Sequence, residues 1–374
     1  MPIVIQPYRD QHEPAVDEFN CRLQSRGIEA DLVFYRWARP RWLPPDQDSN
    51  LFNEFFLAME SEIVRGGYAL KHQSFTFPDG RIRSIGFYHH PLSEGIVNKS
   101  YAMVGSLLLR DAIQRSHLLY CLGMGGYDKP LPRMLVRLGW SHCPLPFYFR
   151  IVHPGRFLRE MQALRNSWWS RLLMDLGAVT GTGWVALKTL RGMAELKAPK
   201  TAPYDVEEVE DFSDWVDVLW NGSKNSYALT AVRDSKTLRL LYPSADQHFS
   251  RLRVKRNNAD IGWAVVGERR KDVKYGAMRV GSIVDCWAAP ECALPVVRAA
   301  TQALEQRGVD LIVSNQSHLS WCEALEAAGF LKTTPSNFIL AVSKKLAELL
   351  YPFEETKSRM HFTRADGDGL PRNF

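Results

Sequence analysis

The alternation of apolar and polar residues predicts a strand and a helix, and then a second strand and helix, in the first half of the chain. Residues 81–89 alternate with the two-residue period of a strand, and residues 101–115 carry apolar side chains at the spacing of one helical face. A short apolar strand over residues 117–122 and a helix over residues 130–138 follow, and Gly139 ends that helix. We interpret this order as a crossover unit, in which the first helix begins beside the C-terminal end of the first strand.

The second half of the chain repeats this order. Its elements are predicted as a strand over residues 278–287, a helix over 294–306, a strand over 309–314 and a helix over 319–328. Each half closes on a glycine followed by an aromatic residue, Gly139-Trp140 in the first and Gly329-Phe330 in the second. One architecture present twice is the simplest interpretation.

The length of 374 residues fits two domains. We assign residues 1–155 to an N-terminal domain, 156–202 to a helical basic connector, 203–350 to a C-terminal domain and 351–374 to a polar tail. Short strands over residues 146–152 and 337–343 are expected to complete the first and the second domain, respectively.

The connector is rich in positive charge. Residues 156–200 contain eight Lys and Arg against three acidic residues. A basic helix that also carries tryptophan can lie on an anionic membrane surface, although we favour packing against the domains. The apolar run over residues 172–190 contains Asp175 and Lys188 and is too polar to span a membrane.

Composition and charge add a few constraints. The net charge of +6, with a pI near 8.9, suits an anionic ligand but is too spread out to indicate nucleic acid. The six cysteines contain no Cys-x-x-Cys pair, so we expect reduced thiols and no metal site. The N-terminus lacks the apolar core of a signal peptide, so we expect a cytoplasmic protein. The oligomeric state stays open.

The loop of residues 93–105 is the candidate anion site. It leads from the first strand of the crossover unit to the start of its helix. Amide groups at a helix N-terminus have no intrahelical acceptor and attract negative charge, so this loop is expected to cradle a phosphate.

Both units run through strand, loop, helix, strand, helix and Gly-aromatic, and in this order they resemble the core of the GNAT superfamily, the acyl-CoA N-acyltransferases. The family's pyrophosphate loop has the pattern Gln/Arg-x-x-Gly-x-Gly/Ala, which aligns here with Ser100, Tyr101, Ala102, Met103, Val104 and Gly105. Only Gly105 matches it, and residues 290–295 of the second unit keep neither glycine. The tyrosine that many members carry four residues before the closing glycine is replaced by Leu135 and Leu325.

Three further stretches resemble tandem GNAT-like proteins encoded among bacterial exopolysaccharide genes: PLSEGIVNKSY, LGMGGYDKPLPRMLVRLGW and YALTAVRDSKTLRLLYP. The resemblance implies an α/β (α+β) fold of two tandem GNAT-like domains, each with a central mixed sheet flanked by helices. It also implies acetyl-CoA or another acyl-CoA as cofactor. The acceptor would be an amino group on a small molecule, a sugar or a cell-surface polysaccharide precursor, and no nucleic acid partner is expected.

Acyl transfer to an amine needs a base for the amine proton and N–H groups that polarise the thioester carbonyl. The base candidates are Glu94, His90 and His89 at the end of the first unit's strand, and Asp285 on the corresponding strand of the second unit. The cofactor-binding candidates are the six residues from Ser100 to Gly105 together with Gly125, where a glycine-rich strand end would let a cofactor arm approach the backbone.

Two other functions stay open at this point. A FemABX-like aminoacyl transferase also has tandem GNAT-like domains, but it uses charged tRNA and would need a continuous basic groove. A non-catalytic scaffold of a polysaccharide assembly system would explain why both pyrophosphate loops depart from the family pattern. No GxSxG, HExxH or Walker pattern occurs, which argues against serine hydrolases, zincins and P-loop enzymes.

Overall fold

The structure, a computed structural model, describes residues 2–28, 32–38, 51–160, 202–272, 276–333 and 336–367. The described residues form two compact units. The first comprises the chain up to Cys143 together with Ile339–Phe353, and the second comprises Pro144 to Phe338 together with the chain from Glu354 onward. Of the predicted connector, residues 161–201 lie outside the described residues.

The strands and helices are numbered along the chain. The strands are β1 (Val4–Pro7), β2 (Leu51–Glu60), β3 (Ile63–Thr76), β4 (Ile82–Ser93), β5 (Leu119–Gly123), β6 (Ser141–Pro144), β7 (Phe147–Ile151), β8 (Asp205–Val209), β9 (Leu229–Ala231), β10 (Phe249–Arg256), β11 (Ala259–Asp272), β12 (Gly276–Ala288), β13 (Leu311–Asn315), β14 (Leu331–Lys332), β15 (Ile339–Val342) and β16 (Met360–His361). The α-helices are α1 (Glu13–Gln24), α2 (Val104–Arg115), α3 (Pro130–Arg137), α4 (Pro154–Glu160), α5 (Asp214–Ser223), α6 (Ser235–Leu241), α7 (Ala293–Gln306), α8 (Leu319–Ala327), α9 (Lys344–Leu349) and α10 (Phe353–Thr356).

The first unit is a mixed sheet with strand order β1-β2-β3-β4-β5-β15-β6. Successive side chains of β2 point to opposite faces, so Phe55 and Leu57 pack with α1 whereas Phe56 and Ala58 pack with α2. The helices therefore lie on both faces of the sheet.

The second unit has a mixed sheet with strand order β14-β7-β13-β12-β11-β10-β8. Its long hairpin, β10 and β11, turns at Asn257 and Asn258, whose φ angles of 50° and 63° match the left-handed turn that an Asn pair favours. Buried apolar residues of α7 (Val296, Ala300 and Leu304) form its core-facing side. These two sheets with their helices confirm the predicted α/β fold class.

Two short strands lie in sheets other than those expected from their positions in the chain. β7 was predicted to complete the first domain, but it pairs with β13 and β14 in the second unit. β15 was predicted to close the second domain, but it pairs with β5 in the first. Ser343, just after β15, holds this arrangement by donating its hydroxyl to the His117 carbonyl and accepting a hydrogen bond from the Leu119 amide.

The predicted polar tail is ordered as far as it is described. β16 pairs in parallel with β9, and Thr363 forms a bridge with Gln316. Thr363 and Asp366 then make a reciprocal capping box around a short 3-10 helix. Residues 368–374 lie outside the described residues.

Within the described residues, no helix combines the length and the apolar character needed to cross a bilayer. The same residues contain no group of three or more His, Cys, Asp or Glu side chains suited to hold a metal ion.

Candidate functional site

In the first unit, β4 and β5 pair only over a short stretch, before the C-terminal part of each strand. The described pairing is limited to Gly86 with Leu119 and Phe87 with Tyr120, although β4 continues to Ser93 and β5 to Gly123. The C-terminal ends of the two parallel strands therefore diverge. A ligand crevice in an α/β protein is expected at such a place, outside the carboxyl ends of the strands.

A bulge in β4 lies at this point of divergence. The register between β3 and β4 shifts between Gly67 and Ala69, and His90, opposite the shift, has a φ of 50°. A non-glycine residue in this conformation is uncommon, and bulges of this kind turn a side chain away from the regular alternation. The sequence pattern, with two histidines in a row, did not predict the bulge.

The helix α2 begins without a side-chain cap. Met103 occupies the N-cap position, where its thioether chain makes no capping hydrogen bond, and it is 69% exposed. A Cβ placed on Gly105 would meet no atom within 4 Å, so the space over the first turn is open. Amides of an uncapped first turn lack intrahelical acceptors and can bind an anion.

The loop before α2 uses its own amides. The Ser100 amide donates to Asn98 Oδ1, the Tyr101 amide to the Asn98 carbonyl and the Ala102 amide to the Lys99 carbonyl. These bonds form a 3-10 turn in the place where a longer α-helix was predicted. The amides that remain for an anion therefore begin at Met103.

A glycine-rich turn begins at Gly123, the last residue of β5. Its four residues all have positive φ: Gly123 at 99°, Met124 at 64°, Gly125 at 74° and Gly126 at 113°. Met124 packs against the apolar cluster that contains Val104 of α2. A role for Gly125 in the approach of a cofactor stays a prediction.

The two histidines at the end of β4 have different partners. His90 Nε2 lies 2.6 Å from the Val33 carbonyl, which can only accept, so this nitrogen carries the proton and leaves the lone pair on Nδ1. His89 Nδ1 lies 3.4 Å from the Tyr35 hydroxyl. Burial lowers the pKa of both imidazoles, so both are neutral near pH 7.

Glu94 is held in an ion-pair network. Its carboxylate lies 3.0 Å from Arg65 and 3.4 Å from Arg22, and Arg65 also binds Glu60 at 2.8 Å. The ring of Tyr101 stacks under the Arg65 guanidinium at 4.2 Å, and its hydroxyl donates to Glu60. This network ties the loop that precedes α2 to the sheet, and the sequence indicated none of its long-range pairs.

In the second unit, the parallel strands β12 and β13 also separate toward their C-terminal ends, but the C-terminal segment of the chain lies between them. Pairing between β12 and β13 runs from Val280 to Ile283 and then stops. Beyond that point Thr363 donates its hydroxyl to Asp285 at 3.0 Å and pairs with Gln316 through the backbone. The C-terminal segment 360–366 therefore lies where the first unit has a widening between strands.

Asp285 is part of a fully buried cluster. Arg233 contacts Asp285 at 2.8 Å and Asp366 at 2.7 Å, and the Tyr242 hydroxyl donates to Asp285 at 2.9 Å. All of these groups are shielded from water. The structure thus places Asp285 in a closed ion-pair cluster, whereas His89, His90 and Glu94 lie together at the end of β4.

The start of α7 differs from that of α2. Ala293, Pro295 and Val296 are buried, and Pro295 has no N–H to offer. Of the two helix starts, that of α2 has the features of an anion site.

One feature of the sequence could have indicated that the C-terminal tail is ordered. Thr363 and Asp366 have the spacing of a capping box, which is typical of the start of a helical turn.

Comparisons with known proteins give two kinds of result. No protein-family model and no curated protein matches the sequence. Solved structures do match. Saccharomyces cerevisiae N-myristoyltransferase with bound myristoyl-CoA superimposes with a TM-score of 0.52 at 10% identity, over 91% of this chain and 78% of that chain.

Two further solved structures align over similar lengths. The same yeast enzyme with myristoyl-CoA and inhibitors gives a TM-score of 0.51 at 10% identity, over 92% of this chain and 80% of that one. A tandem GNAT protein from the clavulanic acid biosynthesis pathway gives 0.48 at 10% identity, over 91% and 98%. At this identity the likeness to N-myristoyltransferase shows the fold alone. The chain has the fold of N-myristoyltransferase, with two mixed sheets flanked by helices.

Proposed function

We propose that this protein is an acyl-CoA-dependent N-acyltransferase whose cofactor binds the first unit. The observation that carries the proposal is the uncapped, open start of α2 beside the diverging ends of β4 and β5. Acyl-CoA, when bound, supplies an acyl group activated as a thioester. Support comes from a protein of this fold, yeast N-myristoyltransferase, which was solved with myristoyl-CoA.

The chain's own residues fit an anionic cofactor at this place. The amides from Met103 to Ser106 would face a diphosphate at the positive end of the helix dipole. Ser100, Tyr101 and Ala102 would hold the turn that presents them, because their amides are bonded within the loop. Val104 anchors the turn in the core, and Gly105 and Gly125 leave room for close approach.

Among the base candidates, the geometry favours His90. Its Nε2 proton is held by the Val33 carbonyl, so Nδ1 can accept a proton from an amine. Glu94 and Asp285 are buried and each is already bound by an arginine within 3.0 Å, so neither carboxylate is exposed to an incoming amine. His89 is the second choice, because its Nδ1 already lies near the Tyr35 hydroxyl.

The acceptor follows from the chemistry and from the resemblance. The reaction class requires an amine, and we propose an amino group on a small molecule or a cell-surface polysaccharide precursor. The second unit would then support the first rather than bind a second cofactor, because segment 360–366 fills its cleft.

Substitution of Gly105 by Glu tests the cofactor site. A carboxylate in the first turn suits the helix dipole and meets no atom, so the variant should fold with unchanged or slightly higher stability. The same charge would repel a diphosphate. We expect affinity for acetyl-CoA, octanoyl-CoA or palmitoyl-CoA, whichever the wild type binds, to fall by about a hundredfold in calorimetric titration.

The matched control is Leu294→Glu, at the second position of α7 as Gly105 is at the second position of α2. This change should leave acyl-CoA affinity within about twofold. Absence of binding by the wild type at millimolar concentrations of all three thioesters would overturn the proposal and favour a non-catalytic scaffold.

A further inference from the structure

A cavity opens at the outer edge of the first unit's sheet, apart from the residues assigned to the acyl-CoA site. β1 ends at Pro7, opposite Phe56, and the Tyr8 amide makes a last bond to the Phe55 carbonyl. β2 also includes residues 52–54 before this point in the chain, and these pair with no described strand on that side. A cavity of about 450 Å³ lies at this step. This volume suits a small molecule.

Two buried polar side chains on the cavity wall lack partners. Tyr8 and Asn53 are each 6% exposed. Neither Tyr8 Oη nor Asn53 Oδ1 has a hydrogen-bond partner in the described part of the chain. Buried polar groups in folded proteins are nearly always satisfied, because an unmade bond destabilises the fold. Asn53 Oδ1 can only accept and Tyr8 Oη can accept as well as donate, so a ligand that supplies donors can satisfy both.

The backbone adds polar groups to the same wall. Phe55 directs its carbonyl to the outer edge, where it accepts from Tyr8, and backbone direction repeats every second residue of a strand. Asn53 therefore also directs its backbone N–H and C=O outward, at the part of the edge that no described strand covers.

The surroundings of the cavity are mainly negative. Burial raises the pKa of Tyr8, and the carboxylates of Glu13, Asp17 and Asp10 raise it further, so the hydroxyl stays protonated. Asp10 also lines the cavity, together with Arg9 as its cationic residue.

A second carboxylate on the wall has a partner of its own. Glu54 binds His72 at 2.8 Å. A positively charged hydrogen-bond donor matches both the two unpaired oxygens and the carboxylates near Tyr8.

We propose that this cavity binds a small molecule through a primary ammonium group. An ammonium has three donors and no acceptor. The oxygens of Tyr8, Asn53 and Asp10 offer it acceptors on the cavity wall, and Phe55 offers an apolar surface for the attached carbon skeleton. The proposal uses none of the residues of the acyl-CoA site and stands independently of that function.

The probes are tyramine and 1,5-diaminopentane, with N-acetyltyramine as the neutral counterpart of the first. Calorimetric titration of the full chain should show binding of both amines and none of the acetylated compound. Tyr8→Phe should weaken amine binding by about tenfold or more, because a bond to a charged donor is lost. Without ligand, its melting temperature should equal or exceed that of the wild type, since an unsatisfied buried hydroxyl is removed.

Asn53→Asp should raise amine affinity, whereas Tyr8→Phe should lower it. It places a carboxylate where the unpaired amide oxygen lies, so the ligand-free protein should melt at a lower temperature while amine affinity rises by about tenfold. Tyr127→Phe is the matched control, because this tyrosine is exposed and bonded to His142, and its affinity should stay unchanged.

Three results would overturn the proposal. They are no amine binding by the wild type at about 10 mM, equal binding of tyramine and N-acetyltyramine, and equal affinities in the wild type and Tyr8→Phe. Tyr8→Phe removes a single atom, so it keeps the test valid where Asn53→Asp does not fold.

Discussion

Arg233 joins two carboxylates that are fully shielded from water. Asp285 and Asp366 lie 52 and 133 residues away from it in the chain, yet each is within hydrogen-bond distance of its guanidinium. Charges in such a place are stable only as a set, because each ion alone would bear the full loss of hydration.

Removal of Arg233 should therefore be severe. We expect Arg233→Met to lower the free energy of unfolding by about 3–5 kcal/mol in urea titration, since it leaves two buried carboxylates without their cation. Lys345→Met, at an exposed pair with Glu348, is the control and should change it by less than about 0.5 kcal/mol. A loss below about 1 kcal/mol in Arg233→Met would contradict the buried cluster.

A carboxylate that the sequence marks as a candidate base can be bound by arginines from distant parts of the chain. Glu94 was a candidate because it follows a strand end, but Arg22 and Arg65 reach it from α1 and β3. Nothing local in the sequence indicates those partners. By contrast, the position of Gly105 in the first turn of a helix was predictable from the apolar spacing around it.

At the scale of elements, the C-terminal segment is held by side chains rather than by a long strand. β16 has only two residues, but Ser317 accepts from the Phe362 amide and donates to the Met360 carbonyl. Thr363 then bonds Asp285 and caps the short helix at Ala365. The segment should therefore open as one unit when a single anchor is removed.

Thr363→Val tests this behaviour. It keeps the shape of the side chain but removes the hydroxyl between Asp285 and the Ala365 amide, which should destabilise the fold by about 1–3 kcal/mol. Hydrogen exchange should then rise together at the amides of Phe362, Thr363 and Asp366. Faster exchange at Thr363 alone would argue against a cooperative segment.

At the scale of the whole molecule, stability should fall as the pH falls. Burial lowers the pKa of His89 and His361 well below the ordinary value of 6.5, and that of His318 to about 4. Below about pH 6.5 the unfolded chain binds protons at these sites while the folded chain does not, so protonation favours unfolding.

Urea unfolding at about pH 7.5, 6.0 and 5.0 measures this effect. Each such histidine should contribute a decrease of up to about 1.4 kcal/mol per pH unit below 6.5. His361→Gln should reduce this dependence of stability on pH by the contribution of one histidine. A stability that rises between pH 7.5 and 5.0 would contradict the buried neutral imidazoles.

The amino-acid sequence by itself determined the elements and their repetition. Apolar periodicity marked β4, α2, α7 and α8 to within a few residues, because the residues that form this signal lie within a few positions of each other. It also indicated one candidate anion site, at Gly105, where a glycine of the family pattern is kept.

Only the tertiary structure decided which sheet each short strand joins and which polar groups meet. β7 and β15 are short and mainly apolar, and such a pattern indicates a strand but not the strands beside which it pairs. The arginine partners of Glu94 and Asp285, and the presence of Tyr8 and Asn53 on the wall of one cavity, depend on contacts between residues tens of positions apart. Such contacts form only when the whole chain packs, and therefore no local pattern records them.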